Sequence, residues 1–190
     1  MRKVIILSIV LLFSSLSAGE WHVDKSKHNV AKYISSVSVM TFEGTTEHVD
    51  GYVYWEDGSF IDAKPKIYFE VDLNTLDSGI GKRDVDMREV LQTERWRYAT
   101  FDGKITDIKP ATGENNIYDV TATGKFFVHG KEKEITVKGT ISDAGNEIKI
   151  KSSFSIFLED YDVTAPSLVA FIKVAEEIKI ELDLNMKNVE

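Results

Sequence analysis

The sequence predicts an all-β fold, an antiparallel barrel of about eight strands with one short helix near its mouth. Two observations carry this. Apolar and polar residues alternate with period two in four separate stretches, which puts one face of each in a core and the other in water. Turn residues punctuate these stretches at short intervals, as strands joined in a meander require. Closing such strands into a barrel removes exposed edges; a two-layer sandwich is the alternative.

The elements follow in order. Val30 to Thr41 and Val49 to Glu56 are strand candidates, the latter rich in Tyr and Val. Lys66 to Leu73 alternates, with Ile67, Phe69, Val71 and Leu73 on one side. Between Asp77 and Arg97 the period changes. Gly79 and Gly81 flank Ile80, and Met87, Val90 and Leu91 share one face of a helix expected over Lys82 to Thr93. Asp84 and Asp86 lie early in it, where negative charge is favoured. Thr100 to Ile108 and Ile117 to Val128 are further strands, and His129-Gly130-Lys131 reads as a hairpin turn. Glu134 to Ile141 points Ile135, Val137, Gly139 and Ile141 one way. The run from Ile148 to Leu158 does the same with Ile150, Phe154 and Ile156, and Ile178 to Met186 with Ile180, Leu182 and Leu184. Asp57-Gly58, Thr112-Gly113-Glu114-Asn115 and Ala144-Gly145-Asn146 mark turns. Asp160 to Ala175 interrupts the pattern with Pro166, Leu168, Val169, Phe171 and Ile172, an apolar segment suited to cap a barrel end.

Composition bounds the function. The chain has 190 residues, 43% apolar and 28% charged, with no Cys and a net charge of −8. One domain with a substantial core fits this length. Lack of Cys excludes a disulfide scaffold, a thiolate zinc site and a Cys nucleophile. The acidic balance argues against nucleic acid, which needs a clustered basic surface. Arg2 and Lys3 followed by the apolar run Val4 to Phe13 and small residues to Gly19 predict a cleaved secretory leader over residues 1–19. The run is about half the length of a membrane span. Removing the leader leaves 21 basic against 31 acidic residues, a charge of −10, on an exported domain of residues 20–190.

No catalytic or metal motif stands out. His22, His28, His48 and His129 form no H-x-H or H-x-x-x-H pair. Asp84-Val85-Asp86 lacks the further oxygen ligands of a calcium loop. Neither a nucleophile elbow nor a phosphate-binding glycine loop occurs, and no cofactor is implied. A barrel offers an interior instead, either packed or leaving room for one small ligand, and alternation alone leaves both open.

At Lys82-Arg83-Asp84-Val85-Asp86-Met87-Arg88 the chain resembles the YceI-like family of exported lipid-binding proteins. The opening Trp21 to His28 is similar to the family's start, and Phe69 to Leu73 followed by Leu76-Asp77-Ser78-Gly79 is similar to its strand and "D-T/S-G" turn. Tyr98 to Phe101 resembles its "P-x-x-x-F" segment with Arg97 where proline is common. Val128 to Lys133 resembles its "I-H-G-x-x-K" hairpin, and Asp160-Tyr161 its late "D-Y" turn. The likeness covers residues 21–187.

The resemblance implies a lipocalin-like barrel with a helix by its opening, periplasmic export, and an apolar cavity for a polyisoprenoid or similar amphiphilic lipid. It permits a homodimer. One departure is Asp86, where the family often has His; the Pro166 to Lys173 stretch resembles only one branch of the family. Within that frame, Phe69, Val71, Phe101, Val137, Ile150, Phe154, Ile156 and Ile180 are expected to line the cavity. Met87 and Leu91 would close over it from the helix, and Leu168 and Phe171 from the later segment. Lys82, Arg83 and Arg88 are the cationic cluster expected to meet a headgroup. The plain alternatives are ordinary core for the apolar set, and solvated charges or an Arg88–Asp84 pair for the basic one. Two other functions stay open: an enzyme using Asp84, Asp86 or His129, and a secreted scaffold presenting Tyr52, Tyr54 and Trp55.

Overall fold

The structure, a computed structural model, describes residues 19–56, 60–169 and 172–189, without the side chains of residues 167–172. Residues 1–18 of the expected leader, the Asp57-Gly58 turn and Phe171 lie outside the described residues, as does the side chain of Leu168. The strands are β1 (Gly19–Val23), β2 (Val30–Val37), β3 (Met40–Thr46), β4 (Val49–Trp55), β5 (Lys66–Asp72), β6 (Tyr98–Pro110), β7 (Ile117–Val128), β8 (Lys131–Asp143), β9 (Glu147–Phe157), β10 (Ser167–Val169), β11 (Ile172–Lys173) and β12 (Glu177–Asn188). One helix, α1 (Gly81–Val90), lies between β5 and β6.

Eight strands close an antiparallel barrel in the order β1, β4, β5, β6, β7, β8, β9, β12, with β12 returning to β1. The eighth member is β1, a strand the alternation did not single out, and it begins at Gly19, the residue expected to end the leader. The predicted strand from Val30 to Thr41 is instead two strands, β2 and β3, folded back at Ser38 and Val39 and added beside β12. Within the described residues β10 and β11 pair only with each other.

The reason lies at Asp24 to Asn29. β12 pairs with β1 up to Val23↔Met186 and with β2 from Val30↔Asp183, so one long strand is shared by two short ones in line. The connection between them is held by polar side chains. The Asp24 carboxylate accepts from the Ser26 backbone N–H at 3.1 Å and its hydroxyl at 2.7 Å. The Asn29 amide donates to the Asp24 carbonyl at 2.9 Å, while its oxygen accepts from the Asn185 N–H at 2.8 Å. Asp24 and Asn29 are 6% and 3% exposed, so these bonds replace ladder bonds that the break removes.

The apolar faces meet inside. Val53 and Leu184 are fully buried, and Ile141 and Met186 nearly so. The predicted hairpin turn is present: His129 and Gly130 both have positive φ, at 54° and 78°, as a two-residue turn between right-twisted strands demands. A Cβ on Gly130 would stand 2.7 Å from the Trp96 indole. α1 ends earlier than the periodicity suggests, because Gln92 turns to φ 50° and breaks the helix one turn short of Thr93.

Candidate functional site

The inward side chains leave an apolar cavity of about 150 Å³. Of the residues expected on its wall, Phe69, Val71, Phe101, Val137, Ile150, Phe154 and Ile180 stand there. Ile156 is buried in the core beside it, without lining it. Met87 and Leu91 are half-buried and pack on the core from α1, together with Val90, without lining the cavity. The wall also includes Tyr33, Leu76, Ala99, Ile105 and Phe126, which were not expected there. Phe126 had a legible signal, since it shares its face with Val120 and Ala122 on β7. Tyr33 had none, because the strand reading of Val30 to Thr41 did not place it beside β12.

Phe126 anchors an aromatic cluster on this wall. Its ring meets Phe154 edge-on at 5.8 Å and Tyr161 at 5.6 Å. Tyr161 is 1% exposed, and burial pushes its hydroxyl pKa up to about 12, so it stays neutral.

The barrel wall is not hydrogen-bonded all the way round. β7 pairs with the whole of β8, and β12 with the whole of β9. The β8–β9 ladder, however, covers only Gly139↔Ser152 to Asp143↔Ile148. Over residues 131–138 and 153–157 the facing edges carry no ladder pairs, an unpaired window in the hydrogen bonding of the wall. A short 3-10 turn, Leu158–Tyr161, follows its far end. It is tied to β8 by Lys133–Asp160 at 3.0 Å and Lys131–Asp162 at 2.6 Å. The His129 ring Nδ1 lies 2.9 Å from the Tyr161 carbonyl. Phe157, on the window's rim, is 47% exposed.

The basic cluster of α1 is largely committed. Lys82 pairs with Asp86 at 2.9 Å. Arg83 donates to the Ser78 hydroxyl at 2.8 Å and carbonyl at 2.6 Å, and stacks on Phe42 at 4.9 Å. The alternative of an Arg88–Asp84 pair is not met: the Asp84 carboxylate, 7% exposed, accepts from the Ser78 backbone N–H at 3.0 Å and from the Ser78 hydroxyl. Arg88 has no ion pair among the described residues. The candidate acid–base groups each hold a partner, Asp84 in Ser78, Asp86 in Lys82 and the His129 Nδ1 in the Tyr161 carbonyl, while the His129 Nε2 is buried without one among the described residues. Among the described residues no group of three or more His, Asp or Glu is placed to hold a metal. Nor is any helix among them long and apolar enough to cross a membrane. On β4, Trp55 packs on Trp21 at 4.7 Å, and Tyr52 stacks on Tyr68 at 5.9 Å, so these aromatics mostly face one another.

The same architecture recurs in solved structures. Burkholderia cenocepacia BcnA superposes with a TM-score of 0.69 at 22% identity, over 86% of this chain and 98% of that one. A polyisoprenoid binding domain from Saccharophagus degradans, implicated in plant cell wall breakdown, gives 0.68 at 16% identity, over 89% and 98%. The Campylobacter jejuni YceI protein gives 0.57 at 12% identity, over 80% and 88%. At these identities the likeness is one of fold. No curated protein matches. The model of the YceI-like domain matches residues 21–186, nearly the whole described barrel. The chain therefore belongs to the YceI-like family.

Proposed function

We propose that the protein binds a polyisoprenoid or similar amphiphilic lipid inside its barrel and holds it for transport, storage or sequestration. The observation that carries this reading is the apolar cavity lying behind a window in the barrel wall. An isoprenoid tail has no directional groups and needs only apolar walls and expelled water, worth about 25 cal/mol per Å² buried. The Saccharophagus degradans neighbour, described as a polyisoprenoid binding domain, supports the ligand class.

Size sets a condition. Drug-sized ligands occupy roughly 300–1,000 Å³, whereas 150 Å³ takes a group about the size of benzene. One isoprene unit fits; a longer tail needs the walls to part. The half-buried Val137, Phe154, Ile178, Ile180 and Leu182 beside the window are the side chains with room to do so. A binding role has more support than catalysis, because the candidate acid–base groups already hold structural partners. We place the protein outside the cytoplasm, in the periplasm, on the leader pattern of residues 1–19 and the family's habit.

The test is calorimetric titration of delipidated protein with a polyprenol. Saturable one-to-one binding with a negative heat-capacity change is expected. Absence of saturable binding overturns the reading.

A further inference from the structure

The point where the β8–β9 ladder stops is built by two residues. A Cβ on Gly139 would stand 2.4 Å from the Lys151 carbonyl oxygen, so only glycine lets the strands approach there. The Ser152 hydroxyl donates to the Lys138 carbonyl at 2.8 Å, taking an acceptor that a continued ladder would use. Beyond this fork no ladder pair joins the two strands.

At the fork lies a groove of about 690 Å³ lined by Lys32, Lys138 and Lys151 and by the carboxylates Glu181 and Asp183. Six residues line both this groove and the apolar cavity: Lys32, Lys138, Gly139, Lys151, Ser152 and Leu182. The greasy interior and the polar groove are therefore neighbours through the barrel wall. The groove's cations differ in their commitments. Lys32 is shared by Glu181 at 3.2 Å and Glu43 at 3.7 Å. Among the described residues Lys151 has only Asp183, at 3.7 Å. Lys138 has no side-chain ion pair or hydrogen bond among the described residues. On α1, by contrast, Lys82 and Arg83 are already held, and no α1 side chain lines the cavity.

We propose that the fork is the headgroup seat, with the lipid tail passing inward between β8 and β9 and an anionic oxygen headgroup resting on Lys138 and Lys151. This rests on the lipid-binding reading and adds the class of headgroup and the route. An amphiphile so placed keeps its charge in the wet groove while its tail leaves water, which is the least costly division of a molecule with two natures.

The test compares a prenol, its monophosphate and inorganic phosphate by calorimetry at low ionic strength. The parent protein is set beside Lys138→Gln, Lys138→Glu, Arg88→Gln and Lys109→Gln. Lys109, paired with Asp107 at 2.7 Å on the far end of β6, controls for net charge. The expected result is a roughly tenfold preference for the monophosphate over the prenol. It falls to within about twofold in Lys138→Gln, reverses in Lys138→Glu, and persists in Arg88→Gln and Lys109→Gln. A preference that survives Lys138→Gln, or that vanishes in Arg88→Gln, overturns the proposal. So does displacement of the prenyl phosphate by an equal concentration of inorganic phosphate, which would make the groove a free-anion site. If the prenol binds without any headgroup preference, only this inference fails; if neither lipid binds, the lipid reading itself fails.

Discussion

The two sides of the barrel are built from the same alternating pattern and come out differently. Where β12 meets β1, the ladders run on to β4 and β9, and Met186 is 1% exposed. Where β8 faces β9, the ladder stops at Gly139, and the inward Val137 and Phe154 beyond it are only half-buried. Inward-pointing apolar residues thus make a solid core where strands pair fully, and a yielding wall where one ladder ends early. A barrel can be stable and still admit a guest, because the two properties reside in different stretches of its strands.

The largest effect is expected on the solid side. Met186→Ala should cost about 3 kcal/mol, because that side chain is buried between strands paired on both sides. Leu182→Ala, beside the window, should cost less than about 1.5 kcal/mol, since that side chain is already partly solvated. Urea denaturation of both variants measures the difference; equal losses would erase the contrast.

Next is the ion pair between the end of β5 and the start of β6. Asp72, 8% exposed, accepts from Arg97 at 2.6 Å and from the Asn74 N–H at 3.0 Å. The Arg97 hydrogen bonds hold its pKa below the usual carboxylate value, with burial opposing. A lowered pKa stabilises the fold above the ordinary carboxylate value of about 4, and that contribution fades as pH falls toward the folded-state value. Asp72→Asn should therefore cost about 2 kcal/mol at neutral pH, and the gap to the parent should shrink below about pH 4. A pH-independent gap would remove the ion pair as its cause.

Phe154→Trp probes the yielding wall directly. It should weaken prenol binding about fivefold by filling space that the tail needs; unchanged affinity would take Phe154 off the wall. The smallest effect is expected at Lys82→Ala. The exposed pair with Asp86 adds little in water, so melting and prenyl phosphate binding should both stay at parental values. Weaker phosphate binding would return the headgroup to α1.

Much of this was legible in the residues. Val71, Val137 and Ile180 sit on the inner face because period-two alternation fixes the side of every residue in a strand once one side is known. The His129-Gly130 turn was legible because left-handed backbone has few tolerant residues. β1 was missed because a five-residue strand offers too few alternations to register. The β2–β3 hairpin was missed because Ser38 and Val39 carry neither Gly nor Asn to mark a turn. The basic cluster of α1 was legible only as a set of charges. Sequence counts charges but not their partners, and Ser78, which occupies both Arg83 and Asp84, carries no signal of that duty. The fork was invisible because the end of a ladder depends on how two strands pair, and Gly139 and Ser152 read singly as unremarkable strand residues.

Native mass spectrometry of the protein purified from a bacterial periplasm tests the central claim most directly. The account predicts a folded species carrying one amphiphile, released when the protein is unfolded. Protein that arrives empty, and stays empty after incubation with a polyprenol or its phosphate, would contradict it.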